Sequence, residues 1–545
     1  MYNIALVDNR RRRRESDAEI LNFDDIVWLE AHIRKSSIVT AEEACTYLEC
    51  SQSPLYSYYT MARFEKSLTR VVGLVTAEAT RFGAGNRNFA VACCALISKK
   101  EHGEKGRSCI RKMSTSIEDP YLRHLFDADP TFNVYNKNVV NLSVGAPGPD
   151  LLQQCSSLLA KATKHRLEEE EKEGKFYLFQ YGITAGLWEC REELAKFLTR
   201  RYGDPVQREN LILTCGATHG LQLILTSVMA PNGVIFVDEV TYMIALDAFK
   251  QFPMKRVVSV PMKDDVVDLD AFEKIVKEEK RKSYTIGNDK IFWAMYYTVP
   301  TFHNPTGMSL SPEMSRRLVK MARENWFAVV CDDVYNLLHY KAEYPPHRLF
   351  NYDDPKDPDY YGGNVISNGS FSKILSPAIR VGWIECGPRV ANILKDSGIL
   401  KSGGAVNHYV SGLIASILQL KLEDEYLDNL IRTYRERMKA LCNVLDNHLP
   451  SNCSYRHPEG GYFVWIKLPE DFDALPFMKW CQEVHKVMAI PGARFSNHGK
   501  SKNYIRVSIS FHSAETIAEA TKVLCNAITE YTRTKLLQIK IQTKL

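Results

Sequence analysis

The 545-residue sequence contains no uninterrupted apolar run long enough to cross a bilayer, which argues against a transmembrane helix. Its first residues, MYNIALVDNRRRRRES, lack the apolar stretch of a secretory signal. We therefore expect a cytoplasmic protein without a membrane partner.

Closely paired cysteines are also missing, because none of the fourteen cysteines stands in a C-x-x-C pair. Structural zinc sites take such closely spaced ligands, so we predict no metal site. Several cysteines, including Cys331, lie in apolar runs. This placement is typical of buried, reduced thiols in a cytosolic or nuclear protein.

A strong charge imbalance is absent as well. The formal net charge is +5, too small for so long a chain to indicate nucleic acid as the main partner. The five arginines at residues 10–14 favour a solvated, disordered tail over a nuclear signal or a nucleic-acid-binding arm.

The length predicts two to four domains, and residues 1–117 form an N-terminal extension. Two short helices are predicted there, at 24–33 and at 41–48, the second opened by a capping box at Thr40. They are compatible with a helix-turn-helix, but few basic residues would face bases, and a small helical bundle is favoured. Residues 99–116 are polar and basic, as in a linker.

From residue 211 onward, apolar strands alternate with helices. Strands are predicted at 211–216, 234–239, 291–300, 327–335 and 365–370. This alternation predicts an α/β fold, a mostly parallel sheet with helices on both faces. A smaller α+β domain follows, with strands at 460–468 and 503–511, the latter interpreted as an edge or half-buried strand. We place an arm at 118–175, the large domain at 176–404 and the small domain at 405–545.

The candidate polar residues fall at the carboxyl ends of the predicted strands. They are Gly216, Tyr242, Asn304, Asp332 and Lys373. Ligands of open α/β sheets bind beyond these ends, so the five residues predict one common site.

The stretch 364–383 is the centre of that prediction. Val365 and Ile366 indicate a buried strand, and residues 368–370 (Asn-Gly-Ser) suit a turn. Lys373 then follows, with Ser370, Ser372 and Arg380 nearby. A buried lysine shifts toward the neutral amine, which can form a Schiff base. The hydroxyls and the arginine suit a phosphate.

Two alternatives to the Schiff-base interpretation stay open from this stretch alone. Lys373 can be a solvated loop residue. Ser370 can be an acylating nucleophile in an S-x-x-K motif, although the S-D-N and K-T-G partners of that motif are missing.

The other candidates also have structural alternatives. Gly216, Ala217 and Thr218 suit a phosphate at a helix start. Tyr242 suits either the core or stacking on a ring, and Asn304 suits a turn. Asp332, at the end of a buried strand, needs a cation such as a pyridinium nitrogen, unless it is an N-cap or pairs with a lysine. Tyr335, three residues on, is placed to reach the same ligand.

Six motifs occur in one order: GATHG, HNPTG, DDVY, GSFSKILSPAIRVGW, GGYFVW and YIRVSIS. Together they resemble the pyridoxal-phosphate-dependent class I/II aminotransferases of fold type I, with the 2-aminoadipate/kynurenine group as the nearest kind. The resemblance covers about residues 118–530, and residues 1–117 lie outside it.

The resemblance implies a role for each matching residue. Lys373 resembles the Schiff-base lysine and general base, Asp332 the partner of the pyridine nitrogen, and Tyr242 the residue stacked on the ring. Asn304 and Tyr335 would bind the phenolic oxygen, and Asn304 also contributes to the substrate site. The residues implied in phosphate binding are Gly216, Ala217, Thr218, Ser370, Ser372 and Arg380.

The resemblance also implies the reaction and the assembly. Arg506 resembles the arginine that binds the substrate α-carboxylate, and Tyr181 the tyrosine that reaches the neighbouring subunit, which implies a homodimer. The expected activity moves an amino group from 2-aminoadipate, kynurenine or an aromatic or aliphatic amino acid to a 2-oxo acid such as 2-oxoglutarate. A pyridoxal-phosphate-binding transcriptional regulator and a lyase on the same fold are the alternatives.

Overall fold

The computed structural model describes residues 133–542, except for residues 134, 137, 283, 285, 288, 289, 342, 405 and 406. The chain divides into two units, Met1–Pro120 and Tyr121–Leu545, and all described residues belong to the second. The helices predicted within residues 1–117 and the five arginines at 10–14 lie outside the described residues. The domain boundaries proposed above stay a prediction.

The described strands, β1 to β15 in chain order, are Val140–Asn141, Leu211–Thr214, Met229–Asp238, Arg256–Val260, Met262–Lys263, Val266–Val267, Phe292–Thr298, Ala328–Asp332, Val365–Ser370, Gly382–Cys386, Ser454–Tyr455, Phe463–Lys467, Val487–Met488, Ile490–Pro491 and Tyr504–Ser508.

The described helices, α1 to α13, are Pro149–Leu152, Cys155–Glu173, Trp188–Tyr202, Ala217–Ser227, Met243–Phe249, Leu269–Lys280, Pro312–Asn325, Pro388–Lys395, Gly398–Lys401, His408–Gln419, Leu422–His448, Ala474–His485 and Ala514–Gln542. None of them, within the residues that the structure describes, is long and apolar enough to cross a membrane.

The central sheet has seven strands in the order β2-β10-β9-β8-β7-β3-β4. Neighbouring strands are parallel except at β10, which runs antiparallel to both β2 and β9. Every residue of β7 and β8 is buried. Continuous burial is the mark of a parallel strand covered on both faces, so the predicted α/β architecture is confirmed.

Alternate residues of the sheet contribute to two different cores. Phe236, Tyr296 and Val329 pack into one core with helices α6 and α7. Val237 and Tyr297 point to the opposite face and pack with helices α4 and α5. This period of two directs neighbouring residues of a strand to opposite faces of the sheet.

The strand predicted at 365–370 is confirmed as β9, whereas the turn also suggested for residues 368–370 is wrong, because these residues complete the strand. Strand β10, which was not predicted, pairs with β9 and places Trp383 beside Gly369. A Cβ at Gly369 would come within 2.2 Å of the Trp383 ring. The glycine therefore makes room for an indole, and it does not signal a turn.

The second sheet has the order β11-β12-β15-β14. Strand β15 lies between two partners and is almost wholly buried. The interpretation of this segment as an edge or half-buried strand is therefore wrong. β1 pairs with β13, which brings residues 143–145 of the arm close to β15.

Helix α2 contains a buried ion pair. Its charged sequence, KHRLEEEEKE, predicts a solvated face, and residues 171–173 are exposed, but Arg166 and Glu170 are buried. Their side chains pair at 2.5 Å, and Glu170 also accepts a hydrogen bond from the backbone of Leu178. A buried charge is tolerated here because both partners are present.

Candidate active site

A cleft of about 570 Å³ opens at the carboxyl ends of the parallel strands. The predicted site residues that line it are Ala217, Thr218, Tyr242, Asn304, Asp332, Tyr335, Ser370, Ser372, Lys373, Arg380 and Arg506. Gly216 immediately precedes this lining as the N-cap of α4. One predicted residue, Tyr181, is not part of the cleft, and its side chain is 83% exposed.

Lys373 lies in the cleft, three residues beyond strand β9, and not on a solvated loop. Its Nζ donates a hydrogen bond to the Gly145 carbonyl at 2.6 Å. Burial lowers the pKa of the Lys373 amine to about 8, and the nearby Asp332 carboxylate opposes this shift. About a tenth of the amine is therefore neutral at pH 7, far more than for an ordinary lysine, and the neutral form is the one that a nucleophile or general base requires.

The geometry does not support Ser370 as an acylating nucleophile. The Ser370 hydroxyl donates to Ser372 Oγ at 2.9 Å, whereas the amine of Lys373 is bonded to Gly145. An activated serine would instead donate its proton to the base.

Asp332 ends strand β8 and is 8% exposed. Its Oδ2 accepts a hydrogen bond from the Tyr297 hydroxyl at 2.6 Å, while Oδ1 has no partner among the described residues. Burial raises the pKa of Asp332 to about 6, the Tyr297 hydrogen bond lowers it and the charge of Asp333 raises it. Neither a helix cap nor an ion pair with a lysine is found here in the described chain. A buried, half-satisfied carboxylate suits a cationic ligand.

A group of anion-binding features surrounds the start of helix α4. Arg380 Nη1 reaches Ser372 Oγ at 3.4 Å, and its Nη2 reaches the Cys215 carbonyl at 3.4 Å. Gly216 has φ +85° and ψ 170°, a conformation open essentially to glycine alone. A Cβ at Gly216 would come within 2.7 Å of Arg380 Nη2. Helix start, hydroxyls and guanidinium therefore meet in a space that suits a phosphate.

Arg506 lies on β15 at another wall of the cleft and is 2% exposed. Its Nη1 donates to Asn304 Oδ1 at 2.7 Å, and its Nη2 donates to the Ser143 carbonyl. Its guanidinium stacks on the ring of Phe463, with 4.0 Å from Cζ to the ring centroid. Burial lowers the pKa of Arg506 to about 10. No described carboxylate pairs with this arginine, so a ligand carboxylate is a fitting partner.

The family model described as aminotransferase class I and II matches residues 137–524, which is more than half of the chain. The chain belongs to the class I and II aminotransferases. As a member, it is a pyridoxal-phosphate-dependent enzyme that uses an amino acid and a 2-oxo acid.

Two curated relatives and one solved structure illustrate the similarity. Aromatic-amino-acid aminotransferase 1 of Thermococcus litoralis is 29% identical over 401 residues, 73% of this chain and 89% of that protein. The 2-aminoadipate transaminase of Thermus thermophilus is 29% identical over 393 residues, 72% of this chain and 90% of that protein. The structure of LysN, the α-aminoadipate aminotransferase of Thermus thermophilus complexed with N-(5′-phosphopyridoxyl)-L-leucine, matches with a TM-score of 0.61 at 26% identity, covering 76% of this chain and 98% of that one.

A relative of another kind bears on the regulator alternative. An uncharacterized HTH-type transcriptional regulator of Escherichia coli, YdcR, is 26% identical over 399 residues, 72% of this chain and 78% of that protein. The segment of this aminotransferase that was compared with a helix-turn-helix lies in residues 1–117, outside the described residues.

The residues of this aminotransferase fit pyridoxal phosphate. Asp332 Oδ1 is buried and without a partner, as a carboxylate that awaits the ring nitrogen would be. Tyr335 and Tyr242 lie on the cleft wall, and burial raises the pKa of Tyr242 to about 12, so its hydroxyl stays protonated. The space at Gly216 and Arg380 would take the phosphate.

Three residues of the aminotransferase site were missed by the sequence analysis. Tyr297 binds Asp332, Gly145 accepts the Lys373 hydrogen bond, and Asn368 donates to the Ala217 carbonyl at 2.8 Å. The period of two along β7 separates Tyr297 from Tyr296 and was a usable signal. The contacts of Gly145 and Asn368 depend on the arm and on the pairing of β8 with β9, which no local pattern reveals.

Proposed function

We propose that this aminotransferase prefers L-amino acids with an aromatic or long apolar side chain, including kynurenine, over 2-aminoadipate. The observation that carries the proposal is the character of the cleft wall. Among its described lining residues the cations are Lys373, Arg380 and Arg506, and each has a role at the cofactor or the α-carboxylate. No further cation of this lining would neutralise an acidic substrate side chain.

Apolar and aromatic side chains supply much of the remaining wall. Tyr135 and Phe511 pack edge to face, with 5.7 Å between ring centroids. Val144, Met243 and Ile244 also line the cleft. Such a surface gains free energy from burying an aromatic or aliphatic group, whereas it would desolvate a carboxylate without compensation.

The chain's own residues then perform distinct tasks. Bound pyridoxal phosphate supplies the electron sink for the chemistry at the substrate Cα. Lys373 Nζ takes the proton from Cα of the amino acid and, in the return half-reaction, gives a proton to C2 of the 2-oxo acid. Arg506 holds the α-carboxylate by two parallel hydrogen bonds, and the negative charge of Asp332 would favour a protonated ring nitrogen. Asn304 and Tyr335 line the same cleft and would donate hydrogen bonds to the phenolic oxygen.

The acceptor is a 2-oxo acid, because the return half-reaction uses the same cleft and the same Arg506. 2-Oxoglutarate, the acceptor expected from the family resemblance, carries a second carboxylate. Its use would require a cationic group from outside the described lining. We therefore rank 2-oxo acids with apolar side chains above 2-oxoglutarate.

A substrate panel tests this proposal. We expect kcat/KM for L-kynurenine, L-phenylalanine or L-leucine to exceed that for L-2-aminoadipate by at least about tenfold, since burying a carboxylate without a partner costs more than 1 kcal/mol. Single half-reactions followed through the cofactor absorbance give these values independently of the acceptor. Ile244→Arg should move the preference toward L-2-aminoadipate. A wild-type preference for 2-aminoadipate would contradict the proposed class.

We also propose a homodimer. Within residues 176–183, four large apolar side chains are exposed: Tyr177 (63%), Phe179 (59%), Tyr181 (83%) and Ile183 (52%). Phe179 also stacks on Tyr409 of helix α10, with 6.3 Å between ring centroids. Adjacent exposed aromatic side chains are costly in water, and a second subunit would cover them.

Light scattering of the purified enzyme checks the assembly. We expect a mass of about 124 kDa, twice the 62.2 kDa of the chain. Phe179→Asp should shift the enzyme toward the monomer, because it places a charge within the covered patch. Met254→Asp is the matched control, since Met254 is 72% exposed elsewhere on the surface. A monomeric wild-type enzyme with full activity would refute the dimer.

A further inference from the structure

A series of hydrogen-bonded, buried polar side chains lies outside the cleft lining. It begins at Asp238, at the end of strand β3. Asp238 accepts hydrogen bonds from the Tyr296 hydroxyl and from Thr298 Oγ1, the latter at 2.8 Å. His303 Nε2 lies 3.3 Å from Asp238 Oδ2. Asp238 and His303 are 2% and 5% exposed and neither lines the cleft. These two residues can therefore affect the reaction only through the residues that they bind.

The hydrogen bonds of His303 fix its orientation. The backbone N–H of Thr306 points to His303 Nδ1 at 3.4 Å. The Thr306 hydroxyl also lies 3.1 Å from Nδ1, so the Nδ1 edge of the ring is held by Thr306 while Nε2 faces Asp238. The Nδ1 side of the ring thus binds Thr306 in the loop of residues 303–308, and the Nε2 side connects this loop to Asp238 of the central sheet.

Two backbone hydrogen bonds of His303 also close this loop. The N–H of His303 donates to the Met308 carbonyl at 2.7 Å, and the carbonyl of His303 accepts from the Gly307 N–H at 2.6 Å. The Thr306 hydroxyl reaches the Asp265 carbonyl at 3.0 Å. Since Asn304 is the next residue along this closed loop, its position follows that of His303.

We propose that His303 and Asp238 are positioning residues that hold Asn304 and, through it, aim the Arg506 guanidinium at the substrate carboxylate. This inference rests on the proposed role of Arg506. Asn304 Oδ1 accepts from Arg506 Nη1 at 2.7 Å, and no described carboxylate restrains that guanidinium. A displaced Asn304 would therefore leave Arg506 with one fewer fixed contact in a buried position, where orientation governs bidentate binding.

Two substitutions of His303 separate its two hydrogen bonds. His303→Asn keeps an oxygen near the position of Nδ1, so the contact with Thr306 survives while the contact with Asp238 is lost. His303→Gln keeps an N–H near the position of Nε2, so the contact with Asp238 survives. Asp238→Asn weakens the same contact from the other side and serves where the His303→Asn variant does not fold.

The measurement is kcat and KM for the amino acid of the panel with the highest kcat/KM. It is combined with the Kd of 3-phenylpropanoate, which has a carboxylate but no amino group, read from the cofactor absorbance of the holoenzyme. We expect His303→Asn and Asp238→Asn to raise KM and Kd about tenfold and to change kcat by less than about threefold. His303→Gln should stay within about threefold of wild type.

Several outcomes would overturn the proposal. It is wrong where His303→Asn and Asp238→Asn leave both KM and Kd within about twofold of wild type. It is equally wrong where kcat falls while KM and Kd are unchanged, or where His303→Gln is as defective as His303→Asn, because a purely structural role has no reason to separate the two. Failure of the substrate proposal is distinct, since it is read from the wild-type ranking alone.

Discussion

Lys373→Ala is expected to lower kcat by at least about 10⁴-fold, because it removes the group proposed as both nucleophile and general base. No other described amine lines the cleft, so none would replace it. The variant should still fold, since Lys373 contributes one side-chain hydrogen bond, to Gly145, and its removal relieves the desolvation of an amine. Single-turnover kinetics with an amino acid and the visible spectrum of the cofactor measure the effect.

The matched control for this variant is Lys341→Ala. Lys341 forms an exposed ion pair with Glu459 at 3.0 Å and lies outside the cleft. Exposed pairs contribute little, so kcat and the visible spectrum should be unchanged. If Lys373→Ala kept more than about a tenth of the wild-type kcat with bound cofactor, Lys373 would not be the base.

The alternation of strands and helices could be predicted because it is local: an apolar run of four to eight residues that is bounded by turn residues favours a buried strand. Strand β10 could not be predicted from a local pattern. Gly382–Cys386 follows the site residue Arg380, and its antiparallel pairing with β9 is set by the chain reversal between the two strands. The buried position of β15 was also hidden, because its second partner, Ile490–Pro491, is only two residues long.

The convergence of the candidate site residues was predictable because they follow strand ends. Asp332, Asn304 and Lys373 converge in the cleft as expected from the parallel topology. The contacts between elements distant in sequence were not predictable. Arg506 meets Asn304 across 202 positions, and Lys373 meets Gly145 across 228. Such pairs are fixed by the packing of the small domain and the arm against the sheet.

The Asp332 carboxylate is expected to destabilise the cofactor-free protein while it supports the activity of the enzyme. Its buried carboxylate has one unpartnered oxygen, and burial raises its pKa from 3.8 to about 6. The folded protein therefore binds protons more readily than the unfolded chain between these values. In the cofactor-free protein, the cost of holding this carboxylate ionised is fully present above pH 6 and disappears as the pH falls toward 4.

Asp332→Asn is accordingly expected to stabilise the cofactor-free protein while it impairs the enzyme. At pH 8 the apparent unfolding temperature should rise, with a gain in the free energy of unfolding of at most about 3 kcal/mol, and this gain should shrink as the pH falls from 6 toward 4. With cofactor bound, kcat should fall by at least about 10²-fold, because the amide cannot pair with a positive ring nitrogen. Thermal scans and half-reaction kinetics measure the two effects.

The opposite signs of these two effects make the prediction specific. Asp247→Asn is the control, because Asp247 is exposed and its loss should change neither quantity at any pH. If Asp332→Asn destabilised the cofactor-free protein at pH 8, the Asp332 carboxylate would have a compensating partner and would not be waiting for a cation. If stability rose but kcat were retained, the buried carboxylate would destabilise the protein without stabilising the charge of the ring nitrogen. The proposed role of Asp332 in holding the cofactor would then be wrong.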